Sequence, residues 1–189
     1  FEALQAHVDR LKTDENIETF NVALGVEHST ATIHLSDNAG VSSSLLEPIM
    51  EQKHNQKIGF TETETVEVRR LDEYMDGKDP HNTLIIDVQG FELEVLKGSE
   101  SVLNRFDYII SEVNRKKQYE GSPTIEGVDA FLAERSYKRM ETYWMGRFWG
   151  DALYVRSDLV TPDQQVIEFD HKRKRGPLKR WFYNLIGRD

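Results

Sequence analysis

Two acidic residues stand where an α/β protein would place reactive groups. Asp87 follows the apolar run at residues 84–86, and Glu112 follows a second such run at residues 109–111. Ligands of open α/β sheets bind beyond the carboxyl ends of the strands, so both acids are predicted at the mouth of a crevice. A carboxylate in that position can take a proton from a substrate or hold a cationic ligand.

Gly90 and Glu92 follow Asp87 closely. A glycine there lets the backbone turn tightly and approach a ligand. Glu92 stands near the start of a predicted helix and is a candidate for contact with a substrate. Its role could instead be local, because an acid at a helix N-terminus contributes roughly 0.3–1 kcal/mol through the helix dipole. A purely structural role for Asp87 is open in the same way.

The elements that must position these residues alternate along the chain. Apolar and alternating runs predict strands at 17–24, 31–35, 65–69, 83–86, 108–113, 137–143 and 152–156, and helical spacing predicts helices at 1–11, 71–75, 92–103 and 125–135. This order predicts an α/β domain of three layers around a mostly parallel sheet. No helix separates the last two strands, so that pair is predicted to be antiparallel.

The composition is that of a soluble globular protein. The 189 residues include 38% hydrophobic and 30% charged residues, and this length suits one domain with a sizeable core. The chain has no cysteine, which excludes disulfides and cysteine nucleophiles and is compatible with a reducing cytoplasm, where we expect the protein to act. The histidines are scattered without metal-ligand spacing, so we assign no metal; a Mg²⁺ site at Asp87 and Glu112 is the alternative.

The net charge of −9 is unevenly distributed. Residues 171–189 contain seven basic residues and one acid, and the remainder of the chain carries the excess of acids. An acidic body argues against sequence-independent nucleic-acid binding. The segment at 172–188 combines basic residues with apolar ones at helical spacing, which favours contact with a membrane surface, docking on the acidic body or docking on a second copy in a homodimer; a solvated charge run is the simplest alternative.

The stretch LIIDVQGFELEVLKGSESVL, at residues 84–103, resembles the signature of FkbM-type methyltransferases. In that signature a strand ends in an Asp-x-x-Gly-x-Glu turn before a Leu-Lys-Gly helix. Weaker matches occur in the family's order at NVALG, VSSSLL, VRRLDEYM, YIISEVN and ALYVR. Together they cover about residues 1–156.

The resemblance implies a class I, Rossmann-like methyltransferase fold and S-adenosylmethionine as methyl donor. It also implies O-methylation of a small-molecule or glycan acceptor, such as a sugar or natural product. By position, the cofactor would contact Asn21 and Ala23 at its adenine end and Asp87, Gln89 and Gly90 at its reacting end. Asp87 is the expected general base, with Glu112 second.

Acceptor contacts are expected at Ser43 and Ser44 in the serine-rich loop, where Ser42 could also line the acceptor pocket, and at Glu92, although the loop could equally be a plain polar connection. The aromatic loop at 143–149 is either a lid over the acceptor or a surface that packs against an N-terminal portion of the protein.

We expect a methyltransferase domain over residues 1–160, incomplete at its N-terminus, and a basic amphipathic tail over residues 161–189. The family's glycine-rich turn does not occur before the first predicted helix, so we expect it upstream of Phe1. The rival hypothesis is a degenerate methyltransferase-fold module that binds or assembles without catalysis.

Overall fold

A computed structural model describes residues 17–49, 58–75, 81–161 and 164–170. The predicted helix at 1–11 and the basic segment at 172–188 lie outside these ranges. The strands are β1 (Ala23–Leu24), β2 (Ser29–Ser36), β3 (Phe60–Arg69), β4 (Thr83–Ile86), β5 (Tyr108–Asn114), β6 (Tyr137–Trp144), β7 (Trp149–Arg156) and β8 (Ile167–Asp170), and the helices are α1 (Glu92–Gly98) and α2 (Ile125–Ala133). Short 3-10 turns occur at Leu71–Tyr74, Leu103–Arg105 and Ser157–Leu159.

The described strands form two sheets. The three-stranded sheet has the order β1-β3-β2, in which β1 is parallel and β2 antiparallel to β3. The five-stranded sheet has the order β4-β5-β7-β6-β8. Here β4 and β5 are parallel, as are β6 and β8, whereas β7 is antiparallel to both of its neighbours.

The prediction of an α/β fold is confirmed, and so is the antiparallel pairing of β6 with β7, but the large sheet is mixed and not mostly parallel. The reason is the hairpin from β6 to β7, because a short connection can only return antiparallel. Strand β7 lies between β5 and β6, so it contributes two antiparallel pairings. Strand β8 lies within residues 161–189, which were predicted to be a tail, and it extends the large sheet by pairing with β6. The domain boundary at residue 160 stays a prediction.

The core forms between the five-stranded sheet and the two helices. Apolar residues at helical spacing place Val95 and Leu96 of α1 and Val128 and Leu132 of α2 in one buried cluster. The sheet contributes every second residue of its central strands to this cluster: Ile109, Val113, Ala152 and Tyr154. Because side chains alternate across a strand, the residues between them lie on the opposite face of the sheet. The described helices form one layer, on the face that carries this cluster.

Helix α1 ends earlier than predicted, at Gly98, where it meets the three-stranded sheet. A Cβ atom at Gly98 would lie 1.8 Å from the carbonyl oxygen of Gly25, the residue after β1. Only a glycine permits this approach of two backbones. The Leu-Lys-Gly sequence therefore ends the helix at a contact between the two sheets. No helix in the described ranges is long and apolar enough to cross a membrane.

Candidate active site

Three carboxyl groups lie side by side on three neighbouring strands of the large sheet. Ile86, the last residue of β4, pairs with Ser111 of β5, so Asp87 comes beside Glu112 one step further on. Glu112 in turn pairs directly with Asp151 of β7. Like charges placed opposite one another destabilise a sheet, so this row has a cost that other groups must offset.

The row lies on the sheet face opposite the helices and opens into a cavity of about 340 Å³. Such a volume is near the lower end of the roughly 300–1000 Å³ typical of small-molecule sites. Asn114 and Trp149 are the next pair on the same face, one step nearer the end of the sheet. The cavity is lined by the three acids together with Val41, Ser42, Gln89, Asn114, Gln118, Tyr119, Met145 and Trp149.

Gln89 joins two of the carboxyl groups. Its Nε2 donates to Asp87 Oδ1 at 2.7 Å and to Glu112 Oε2 at 3.0 Å. The hydroxyl of Tyr119 lies 3.3 Å from Gln89 Oε1 and 3.0 Å from the carbonyl oxygen of Ser42, and it can donate to either. The side chain of Gln89 is thus fixed at both ends of its amide, and it positions two potential acid–base groups relative to each other.

The turn that carries Gln89 has an unusual backbone. Gln89 has a φ of 53° and Gly90 a φ of 97°, and positive values are uncommon for a residue other than glycine. A Cβ atom at Gly90 would lie 2.8 Å from the ring of Tyr119. Gly90 is therefore required both by its conformation and by the close approach of Tyr119, and strained backbone of this kind is common at functional sites.

Glu92 stabilises this turn through hydrogen bonds to its backbone. It is buried, and its Oε1 accepts hydrogen bonds from the backbone N–H groups of Gly90 at 2.9 Å and Val88 at 3.3 Å. Burial raises the pKa of Glu92 in spite of these hydrogen bonds. Glu92 is not among the residues that line the cavity, so the geometry assigns it to shaping the turn at residues 87–90; acceptor contact by this residue stays a prediction.

Glu112 and Asp151 are held in a poorly solvated environment. Burial, followed by the charges of the nearby Asp87 and Glu92, raises the pKa of Glu112 to about 9. Burial, followed by the charge of Asp87, raises the pKa of Asp151 to about 7. At neutral pH Glu112 is therefore a neutral acid that can donate a hydrogen bond, whereas Asp87 is exposed at the mouth of the cavity.

The serine-rich loop borders the cavity through one of its three serines. Ser42 lines the cavity, whereas Ser44 is buried and donates from Oγ to the carbonyl oxygen of Gln89 at 2.7 Å. Ser43 Oγ accepts from the backbone N–H of Ser36 at 3.1 Å. Ser43 and Ser44 thus fold the loop and fasten it to the turn at residues 87–90, and their contact with an acceptor stays a prediction.

The residues expected at the adenine end of a cofactor lie elsewhere. Asn21 is exposed, and Ala23 belongs to β1. Their neighbours Phe20, Val22 and Leu24 line a second cavity of about 350 Å³ with residues from the 3-10 turn at Leu71–Tyr74 and from β4. Asn21 and Ala23 are therefore beside that second cavity, and Asp87 and Gln89 are in the first.

Sequence reasoning missed Asp151 and Tyr119. The predicted last strand began at Ala152, but β7 begins at Trp149, and continuing the alternation backwards would have placed Asp151 on a common face with Leu153. No local signal distinguishes Tyr119, because its role depends on the distant Gln89 and Ser42. Among the described residues, no group of three or more histidine, aspartate or glutamate side chains is arranged to hold a metal ion.

Comparison with known proteins agrees with the signature at residues 84–103. Residues 1–139 match the family model described as the methyltransferase FkbM domain. The chain is also 25% identical over 122 residues to the 2-O-methyltransferase NoeI of Sinorhizobium fredii, a match that covers 60% of this chain and 50% of that protein. The chain thus spans about half the length of this curated relative. No solved structure matches it.

Proposed function

The chain belongs to the FkbM methyltransferase family, and from this premise we propose that it transfers a methyl group from S-adenosylmethionine to a hydroxyl oxygen of a sugar or similar natural product. The observation that carries the proposal is the position of Asp87. It lies at the mouth of a cavity of suitable size, beside a neutral acid and an oriented amide. The 2-O-methyltransferase NoeI, by its name an O-methyltransferase, supports oxygen as the acceptor atom.

The acidity of the first cavity supports the binding of a cationic methyl donor. S-adenosylmethionine, when bound, supplies an electrophilic methyl group on a positively charged sulfur. None of the described residues that line the first cavity is basic, and Asp87 and Asp151 are acids beside the neutral Glu112. An acidic cavity attracts a cation, so the donor set fits the reacting end of this cofactor. Asn21 and Ala23 lie outside the lining, so the fit applies to that end alone.

The second step concerns the proton of the acceptor. Transfer of the methyl group from the sulfonium to the acceptor oxygen would leave a neutral thioether and would require the hydroxyl to lose its proton. Asp87 accepts this proton because it is the exposed carboxylate of the row. Gln89 holds Oδ1 of Asp87 through its amide N–H, which leaves Oδ2 to face the acceptor.

The third step concerns Glu112 and Asp151, which act on the acceptor and not as primary bases. A carboxylic acid that is neutral at pH 7 can donate a hydrogen bond, and Glu112 is in that state. Together with the amides of Asn114 and Gln118, it offers donors and acceptors to the several hydroxyls of a sugar. Trp149 adds an aromatic surface to the same lining.

The test uses the full-length gene product. Calorimetry with S-adenosylmethionine should show binding in the micromolar range, and methyl-labelled cofactor should then transfer label to glycosides that have free hydroxyls. The label should survive mild alkali, because a methyl ether is stable there whereas a methyl ester is hydrolysed. Absence of cofactor binding at high micromolar concentration would favour a non-catalytic module. Alkali-labile product would identify a carboxylate as the acceptor.

A further inference from the structure

A group of exposed basic residues lies in the two chain segments that also carry residues lining the acidic cavity. We call Lys116, Lys117 and Arg147 the basic rim; all three are exposed, as is the neighbouring Arg115. The rim residues lie in two short segments, and each segment is preceded and followed in the sequence by residues that line the cavity. Asn114 and Gln118 flank residues 115–117, and Met145 and Trp149 flank residues 146–148. The backbone N–H of Arg115 donates to the carbonyl oxygen of Phe148 at 2.7 Å, which joins the two segments.

An aromatic ring holds two of these cations in place. The guanidinium carbon of Arg115 lies 3.8 Å from the ring centre of Trp144, which belongs to the buried cluster on the helix side of the sheet, so Arg115 is not counted in the rim. Lys116 Nζ and the guanidinium carbon of Arg147 lie 4.9 Å and 5.1 Å from the ring centre of Phe148. Cation–π contacts of this kind stabilise the position of long side chains that would otherwise be mobile. Two separate cations thus converge on one ring.

The basic rim carries positive charge that no described acid neutralises. Arg115 is 3.8 Å from Glu168 Oε2, but Lys116, Lys117 and Arg147 form no ion pair with any of the described residues. This is unusual in a chain with a net charge of −9, in which many of the other basic side chains are paired with acids. Cations that have no ion pair among the described residues and lie in segments next to a cavity suit an anion with several oxygens, and phosphate is the common one.

We propose that the acceptor is a sugar carried on a phosphate or diphosphate, with the sugar hydroxyl in the cavity beside Asp87 and the phosphate on the basic rim. The separation of charge supports this orientation: acids line the cavity, and the bases lie in the two segments whose neighbouring residues line it. A neutral Glu112 lessens repulsion between the cavity and an anionic ligand at pH 7. The position of the sugar rests on the proposed function, whereas phosphate binding by the rim does not.

The first experiment measures the rim by itself. Calorimetry on the full-length gene product uses inorganic pyrophosphate, with Lys116→Gln, Arg147→Gln and the double variant, and with Lys97→Gln as the matched control. Lys97 is an exposed lysine on α1, paired only with Glu94. We expect each rim variant to raise Kd about 3- to 5-fold and the double variant about tenfold or more, since exposed charge pairs contribute little individually. Lys97→Gln should bind as the wild type does.

Two further comparisons vary the salt concentration and the group to which the sugar is attached. Pyrophosphate binding should weaken between 0.05 and 0.5 M salt, because exposed charges are screened. A glycosyl 1-phosphate should bind about tenfold tighter than the corresponding uncharged methyl glycoside. A nucleoside diphosphate sugar and a prenyl diphosphate sugar then distinguish the two sources of such an acceptor. Binding of either supports the proposal, and the tighter one identifies the carrier.

Three results would overturn the inference: no binding of pyrophosphate, equal binding by the wild type and the double rim variant, or equal binding of the sugar phosphate and the uncharged glycoside. Thermal unfolding of each variant ensures that the fold is intact. Methyl transfer is not measured in these experiments. Phosphate binding that depends on the rim, together with no methyl transfer in the earlier assay, would therefore reject the proposed function and leave the phosphate site standing.

Discussion

The two sheets of this protein both carry several acids, but the acids differ in their exposure and in their distance from one another. On β3 of the small sheet, Glu62 and Glu64 are exposed and face apolar partners on β2. On the large sheet, Asp87, Glu112 and Asp151 adjoin one another, with Glu112 buried. In a poorly solvated cavity, burial and neighbouring carboxylates both favour the neutral form of a carboxyl group. Desolvation and proximity therefore separate a candidate site from a solvated surface.

The largest expected effect comes from removing the base in the large sheet. Asp87→Asn keeps the shape of the side chain but cannot accept the acceptor proton, so methyl transfer should fall by roughly 10²–10⁴-fold. Affinity for S-adenosylmethionine should change little. Turnover with labelled cofactor and calorimetry of binding measure the two quantities separately. Glu64→Gln on β3 is the matched control and should retain wild-type turnover. Equal turnover of Asp87→Asn and the wild type would make Asp87 structural.

The next largest effect is expected at the contact between the two sheets. Gly98→Ala places a methyl group 1.8 Å from the carbonyl oxygen of Gly25, and neither backbone can yield without moving α1 or β1. We expect the free energy of unfolding to fall by about 3 kcal/mol.

Gly127→Ala is the control for that substitution. Gly127 lies in α2, and its added Cβ would meet only the Pro123 side chain, at an ordinary 3.5 Å. This variant should gain roughly 0.4–1 kcal/mol, because alanine loses less backbone entropy on folding. Denaturant titration measures both variants. A Gly98→Ala protein as stable as the wild type would show that the two sheets do not depend on this contact.

The sequence predicted best those features that depend on local pattern. Strand β4 was predicted residue for residue, because Thr83–Ile86 is a short apolar run bounded by polar residues. The predicted helix at 92–103 ends instead at Gly98, because Gly25, which is remote in sequence, lies against it. Most of the predicted strand at 17–24 is also missing, since only Ala23–Leu24 finds a partner, in β3.

Features that depend on pairing between distant segments were missed. Strand β8 is short and largely exposed, and it is held by its pairing with β6 and by the Arg139–Glu168 ion pair at 3.1 Å. In the site, the two acids that the sequence singled out, Asp87 and Glu112, both line the cavity, and Glu112 lies within β5 and not at its end. Asp151 was not singled out, because its significance arises from its register opposite Glu112.

The last expected effect is a difference in the pH dependence of stability. The pKa of Glu112 is 4.5 ordinarily and about 9 in the folded protein. Between these values the folded state binds a proton that the unfolded state has lost, so the free energy of unfolding falls as pH rises, by at most about 1.4 kcal/mol per pH unit. Asp151 acts in the same direction but only up to about pH 7. The interval from pH 7 to 9 therefore largely leaves out Asp151, and the Glu112→Gln variant identifies the part of the slope that belongs to Glu112.

Denaturant titrations at pH 7, 8 and 9 measure this slope. Glu112→Gln cannot lose a proton, so its stability should fall less steeply than that of the wild type over this interval. Glu64→Gln, on the exposed strand β3, is the matched control and should keep the wild-type slope. If Glu112→Gln and Glu64→Gln have the same slope, the large sheet does not hold a neutral acid, and the contrast between the sheets is one of position alone. If only Glu112→Gln flattens the slope, the proton on Glu112 is part of the folded structure.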